Sequence, residues 1–342
     1  MDSDFSSTGE SLPAALRTEL AALADAPPAA ALRRLVALRL DRLPLPGHGA
    51  TLDRWRALAA VGAHDLALAK LFEGHTDALA ILHEAGAQHG ADNALWATWC
   101  AEPPDARLAL SSGTDGRQFL DGRKAWCSGA RGVTHAVVSC WRPDGAAMLA
   151  AVDLRQAGVT VTDDGWHAVG MAASGSVDVR FDRVEARVLG GPGFYVGRAG
   201  FWHGGAGVAA CWFGAATRLA EVLRTRLAER GDPHRLAQLG EAAVALQGSA
   251  ALMRKAATRI DRSPLADAMA DALSVRLHVE ASAGLVLAVV GRALGAGPLC
   301  KDAALARLLA DLPVFMRQSH AERDLEALGR LAAAAKGAPW TL

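Results

Sequence analysis

The chain has 342 residues, 51% of them hydrophobic, with 36 basic and 36 acidic side chains and a formal net charge of zero. That length can bury more than one core, and the balanced charge gives no general electrostatic reason for nucleic acid or an anionic membrane as partner. Five scattered cysteines without a C-x-x-C pair argue against a disulfide framework or a zinc site, suggest no metal, and fit a reducing cytoplasm. The chain opens Met1-Asp2-Ser3-Asp4-Phe5, acidic and without the apolar run of a secretory signal.

Residues 1–94 read as an N-terminal α-helical domain. Leu12 to Leu16 opens one helix, and Pro27-Pro28 breaks the chain before a second over 29–40. Pro44-Leu45-Pro46-Gly47 is a loop. Thr51 is placed to cap a third helix carrying Leu52, Trp55, Leu58, Ala59 and Gly62, and Leu66 to Ala85 continues in helical style.

The period changes over 95–195. Val177, Val179 and Phe181 alternate with polar residues, so they share one sheet face. The apolar runs 136–141 and 148–152 flank the turn Pro143-Asp144-Gly145, and Asp115-Gly116 and Asp121-Gly122 mark two more tight turns. Turns at such close intervals predict an antiparallel β-sheet or barrel.

Residues 196–342 return to helix. Helices are predicted over 208–230, 233–260 and 265–294, closed by Gly295-Ala296-Gly297-Pro298, then over 301–335 with a kink at Pro313. Short joints make this a C-terminal four-helix bundle. The most apolar stretch, Ala281 to Gly291, is too short to span a bilayer before Arg292, which points to no membrane segment. The fold class is therefore α+β multidomain, ordered α, β, bundle.

That order resembles the acyl-CoA dehydrogenase superfamily, and local motifs carry the likeness. Leu120 to Ala130 (Leu-Asp-Gly-Arg-Lys-Ala-Trp-Cys-Ser-Gly-Ala) is similar to that superfamily's flavin-wall strand. His167 to Ser174 resembles its Gly-Met loop, the strand from Val177 to Val184 follows as in relatives, and Trp99-Cys100-Ala101-Glu102-Pro103 stands where relatives have a Glu-Pro turn. The resemblance implies FAD. Trp126 would back the isoalloxazine, Ser128 would reach its N5/O4 edge, and Thr98, Cys100 and Ala101 would line the pyrimidine side through backbone groups. For the ADP half the candidates are Arg226, Arg230, Gln238, Gly295 and Gly297. The residues alone leave other readings open: a tryptophan in a β-domain is often a core residue, and Gly297-Pro298 can simply end a helix.

The resemblance fails at the catalytic base. Relatives carry a glutamate near the C-terminus, and an ungapped comparison places Ser319 there. Ser cannot take a carbon-bound proton unaided, so His320 and Glu322 are the candidate catalytic residues, with Asp324 on the His320 face. The loop Glu102-Pro103-Pro104-Asp105-Ala106-Arg107 lacks the usual glycine and serine, and Ala172 stands where relatives have arginine. Both weigh against a CoA thioester. His75 and the segment Trp202-His203-Gly204-Gly205 are further candidates.

The leading expectation is an FAD-dependent oxidoreductase that dehydrogenates an acyl thioester, acyl-CoA or a similar small molecule, with hydride passing to flavin N5. An electron-transfer partner or oxygen would be the acceptor. The alternatives are a flavin-dependent monooxygenase or oxidase on the same fold, or a degenerate homologue acting as a subunit or scaffold. Ala281-Ser282-Ala283-Gly284-Leu285 permits close helix packing and, with the resemblance, implies a homodimer or homotetramer.

Overall fold

The computed structural model describes residues 12–90, 93–227, 231–337 and 340. Four helices open the chain: α1 (Leu12–Ala22), α2 (Pro28–Ala37), α3 (Thr51–His64) and α4 (Leu66–Glu84). Pro28 sits at the start of α2, where its missing N–H costs nothing. Thr51 does not cap α3. Its hydroxyl accepts from Gly47 N at 2.9 Å and donates to Asp261 at 2.6 Å, tying the loop before α3 to the bundle. Asp65 does cap α4, accepting from Leu68 N at 2.7 Å.

Seven strands follow: β1 (Trp96–Trp99), β2 (Leu108–Ser112), β3 (Gln118–Cys127), β4 (His135–Trp141), β5 (Ala147–Asp153), β6 (Val159–Val161) and β7 (Val177–Leu189). They run β1-β4-β2-β3-β7-β5, and β4 pairs β5 as well, which closes the sheet into a barrel. Pairing is mostly antiparallel as expected, but β4 lies parallel to both β1 and β2. The hairpins at Asp115-Gly116 and Asp144-Gly145 form, each glycine at φ 81°. Asp121-Gly122 is no turn. Gly122, at φ 120°, is a bulge inside β3, and a Cβ there would stand 2.9 Å from the Arg107 carbonyl.

The rest is helical: α5 (Phe194–Gly197), α6 (Gly200–Leu227), α7 (Pro233–Arg262), α8 (Met269–Leu294), α9 (Ala296–Lys301), α10 (Ala303–Met316) and α11 (Glu322–Ala334). The architecture is the expected one of N-terminal helices, central barrel and C-terminal bundle. The last predicted helix is two, parted at Ala321, whose φ is 44°, while Pro313 sits within α10. α6 is the axis of the molecule and buries Trp212 completely. It crosses α3 with backbone almost on backbone: a Cβ on Gly62 would lie 2.3 Å from the Cys211 carbonyl oxygen, and one on Gly214 would lie 2.0 Å from that of Ala59. By length and composition α6 and α8 could each cross a membrane; 72% and 50% of their apolar windows are buried inside the protein.

Candidate active site

Trp126 ends the regular part of β3. The register to β7 slips between Lys124 and Cys127, and Trp126 occupies that slip at φ 57°. Left-handed backbone is costly for a bulky residue and persists where surroundings enforce it, often at functional sites. The slip lets Ala125 and Cys127 both turn inward while the indole turns outward, 51% exposed. A large aromatic face held off the core by a strained bulge could stack on a flat ligand.

Beside it runs a chain of hydroxyls. Ser174 Oγ lies 2.8 Å from the Met171 carbonyl and 2.8 Å from Ser176 Oγ, which in turn lies 3.0 Å from Ser128 Oγ. Each hydroxyl can donate or accept, so the chain can adapt to a ligand edge at Ser128. The Ser128 carbonyl accepts from Trp99 Nε1 at 3.1 Å. Gly129 rests on Leu71 of α4, and Gly170 abuts the Ala310 carbonyl of α10, so this corner touches both helical domains. Asp311 accepts from Met171 N at the same joint, and burial pushes its carboxyl up.

A second feature lies on α4 and was not singled out from the sequence. This helix is almost wholly buried, yet Lys70, Glu73 and Asp77 keep partial exposure along one stripe. Lys70 pairs with Glu73 at 3.0 Å. Asp77 lies 3.5 Å from Arg198, which also pairs with Glu84 at 2.6 Å. Opposite stand Cys100 and Tyr195, in contact through thiol and hydroxyl. Both are half-buried. Burial pushes the Cys100 thiol up to about 12 and the Tyr195 phenol well above its ordinary value, so both stay protonated. Arg276 of α8 reaches the same region from the bundle, donating to the Gly205 carbonyl at 2.7 Å and the Gln318 carbonyl at 2.9 Å. Burial lowers its pKa, and the nearby charges of Asp324 and Glu73 counter that. The sequence signal was available: charges at i, i+3 and i+7 inside an otherwise apolar helix.

The remaining candidates are dispersed. Thr98 donates its hydroxyl to the Gly74 carbonyl at 2.8 Å, fastening β1 to α4, and Ala101 is exposed in the loop after β1. His75 is fully buried. It accepts from Trp96 N at 3.0 Å and faces Asp41 at 3.1 Å, a structural joint. His203 is buried beneath Gly47, and burial lowers its pKa. Ser319 is buried and accepts from Ala321 N at 3.3 Å. His320, on the turn that Arg276 holds, is 60% exposed and 3.6 Å from Asp324. Glu322 is exposed in the first turn of α11. Arg226 pairs with Asp302 at 3.1 Å, Gln238 lies half-buried in α7, Gly295 ends α8 at φ 66°, and Gly297 is exposed in α9. Arg230 falls outside the described residues. No cluster of potential metal ligands occurs among the described residues. A surface cavity of about 500 Å³, lined by Arg42, His83, Gly86, His89 and neighbours, opens at the far end of α4. It is about 18 Å along the helix from Leu71, so it is not part of the Trp126 corner.

Helices, closed barrel and bundle in this order make the acyl-CoA dehydrogenase-type fold. The relatives are more particular. No known family's profile matches the chain. The dibenzothiophene monooxygenase of Rhodococcus erythropolis is 32% identical over 185 residues, 45% of this chain and 43% of that protein. The match thus spans less than half the length of this curated relative. FMN-bound TdsC from Paenibacillus sp. A11-2, a dibenzothiophene monooxygenase, superposes with TM-score 0.79 at 18% identity over 96% of this chain and 98% of its own. The methanesulfinate monooxygenase MsuC of Pseudomonas fluorescens gives 0.79 at 20% identity, over 95% and 97%. KijD3 in complex with FMN and an amino-keto sugar nucleotide gives 0.78 at 20%, over 98% and 97%. These likenesses establish the fold.

They also correct the expectation of FAD. TdsC and KijD3 are complexed with FMN, which has no adenylate half. The ADP-binding roles assigned to Arg226, Arg230, Gln238, Gly295 and Gly297 therefore lose their ligand. Arg226 and Gly295 already have local duties, an ion pair to the α10 cap residue and the end of α8.

Proposed function

We propose that this chain is an FMN-dependent monooxygenase acting on a small organic molecule, rather than an acyl-CoA dehydrogenase. The observation that carries the reading is the outward indole of Trp126 on its strained bulge, beside the Ser128 hydroxyl. A flat ring with a polar edge matches that pair: the indole stacks, and Ser128 hydrogen-bonds the edge. When bound and reduced, FMN would supply the electrons that activate oxygen. The chain's own residues would hold the ring and exclude water, with the charged stripe of α4 facing the substrate. The similarity to three monooxygenases or flavin complexes of this fold supports the reading. Against dehydrogenation stands the missing base: Ser319 is committed to a backbone N–H, and His320 and Glu322 are solvated. The altered Glu102–Arg107 loop argues against a CoA thioester.

Two measurements test it. Fluorescence titration of the purified chain is expected to show FMN binding at least tenfold tighter than FAD. Trp126→Ala should weaken FMN at least tenfold, a loss of about 1.4 kcal/mol or more from one aromatic face. The chemically reduced, FMN-loaded chain mixed with oxygen in a stopped-flow instrument should reoxidise far faster than an acyl-CoA dehydrogenase does. A chain that takes up no flavin sinks the proposal, and slow reoxidation sinks its oxygen chemistry.

A further inference from the structure

We propose that Asp311 is a positioning residue of the flavin corner: from bundle helix α10 it holds the Met171 turn, and through that turn it seats the Ser128–Gly129 segment beside the Trp126 indole. The inference rests on the flavin reading, because the group being positioned for is FMN.

Asp311 is buried where three parts of the chain meet, since α10 and the turn Ala172–Ser174 both pack on α4. Its Oδ1 accepts from the Met171 N–H. Met171 is itself buried and stands at φ 60°, left-handed backbone that a long side chain adopts only where its neighbours enforce it. Two neighbours do so. The Asp311 carboxylate fixes the N–H, which would otherwise be buried without an acceptor. The α10 backbone presses on the preceding residue, where a Cβ on Gly170 would stand 2.0 Å from the Ala310 carbonyl oxygen.

The Met171 carbonyl then gathers Ser174 N at 3.0 Å, Ser174 Oγ at 2.8 Å and Trp166 Nε1 at 3.1 Å. Ser174 reaches the flavin corner twice. Its carbonyl accepts from Gly129 N at 2.8 Å, and its hydroxyl leads through Ser176 to Ser128. Ser128 N closes back on the Trp126 carbonyl at 3.0 Å. A continuous run of hydrogen bonds therefore joins α10 to the peptide that carries the indole. A carboxylate that only fastened α10 to the barrel would contribute stability and leave flavin affinity alone. One that seats the corner controls affinity, because a site loosened by about 1 Å in its supporting residues no longer fits its ligand.

Three variants of the full-length chain separate these roles. Asp311→Asn keeps an acceptor oxygen, and Asp311→Leu removes it at similar volume. Leu305→Ala deletes another buried side chain of α10 that takes no part in the run of bonds. Hydrogen–deuterium exchange of the flavin-free chain reads the tether. In Asp311→Leu the segments 126–132 and 169–176 should exchange faster than the parent, beyond any rise shared with α6 and α8. Flavin fluorescence reads the consequence. The Kd for FMN should rise about tenfold or more in Asp311→Leu and stay within about threefold of the parent in Asp311→Asn and Leu305→Ala. Parent-like FMN binding by Asp311→Leu, an equal loss in Leu305→Ala or in Asp311→Asn, or unchanged exchange at both segments each overturn the proposal. A parent chain that takes up no flavin removes the flavin reading and the ligand named here, while the exchange measurement still decides whether Asp311 holds Ser128 and Gly129.

Discussion

At the residue scale, environment decides chemistry more than residue type does. Five cysteines share one reactive group, yet burial pushes Cys100 and Cys140 up to about 12 and raises Cys127 and Cys211 as well, while Cys300 is exposed. The thiolate is the nucleophile, so iodoacetamide at pH 8 should modify Cys300 alone in the folded protein, and peptide mass mapping would check it. Glu102 shows the same principle with opposite sign. Burial pushes its carboxyl up, but hydrogen bonds from Lys124, Ser139 and Trp141 outweigh that and hold it below the usual range. A carboxyl depressed in the folded state stabilises above its unfolded value, and that contribution is lost as pH falls through the folded one. Glu102→Gln should therefore flatten the acid limb of the stability curve below about pH 4.5, measured by urea unfolding. Lys124→Met, which strands this carboxylate, should cost about 3 kcal/mol at pH 7. The residue that looked like part of a flavin loop is an anchor of the barrel interior, with Lys124 wholly buried against it.

At the element scale, the α3–α6 crossing is the sharpest test of the packing. Gly62 and Gly214 each face the partner helix's backbone, which cannot yield as a flexible side chain would. Gly62→Ala and Gly214→Ala should each destabilise by about 2–3 kcal/mol, despite alanine's better helix propensity, and the sum in the double variant should fall short of additive. Thermal and urea denaturation check both statements. Periodicity alone placed α3 and α4 well, because their apolar residues recur every turn. It placed the start of α6 late, because Gly200–Gly207 carries four glycines and looks like loop. Those glycines are helical where α6 passes close to Asp77 and Trp55. Likewise Asp121-Gly122 has turn composition, and only the pairing of β3 with β2 on one side and β7 on the other makes it a bulge.

At the scale of the whole molecule, the bundle leaves a few large apolar side chains exposed. Leu236 and Val244 of α7 are 53% and 72% exposed, and Leu285 of α8 is 37% exposed among small residues. We propose that this face joins copies of the chain. Light scattering should show a dimer or larger, and Leu285→Glu should shift the population toward monomer, because a buried unpaired charge is costly. A monomer at all accessible concentrations would refute this.

The amino-acid sequence by itself determined the three zones and the strand and helix periods, because these rest on local spacing and turn chemistry. Trp126 and Ser128 stood out only through the family resemblance, and their surroundings are tertiary: the outward turn of the indole depends on a register slip against β7, and the contacts of Ser128 on Ser174 and Ser176, nearly fifty residues away. The cluster of charges around α4 was decided only by tertiary structure. Lys70, Glu73 and Asp77 come from α4, Cys100 from the end of β1, Tyr195 and Arg198 from around α5, and Arg276 from α8. Long-range packing alone brings those charges together and partly shields them from water.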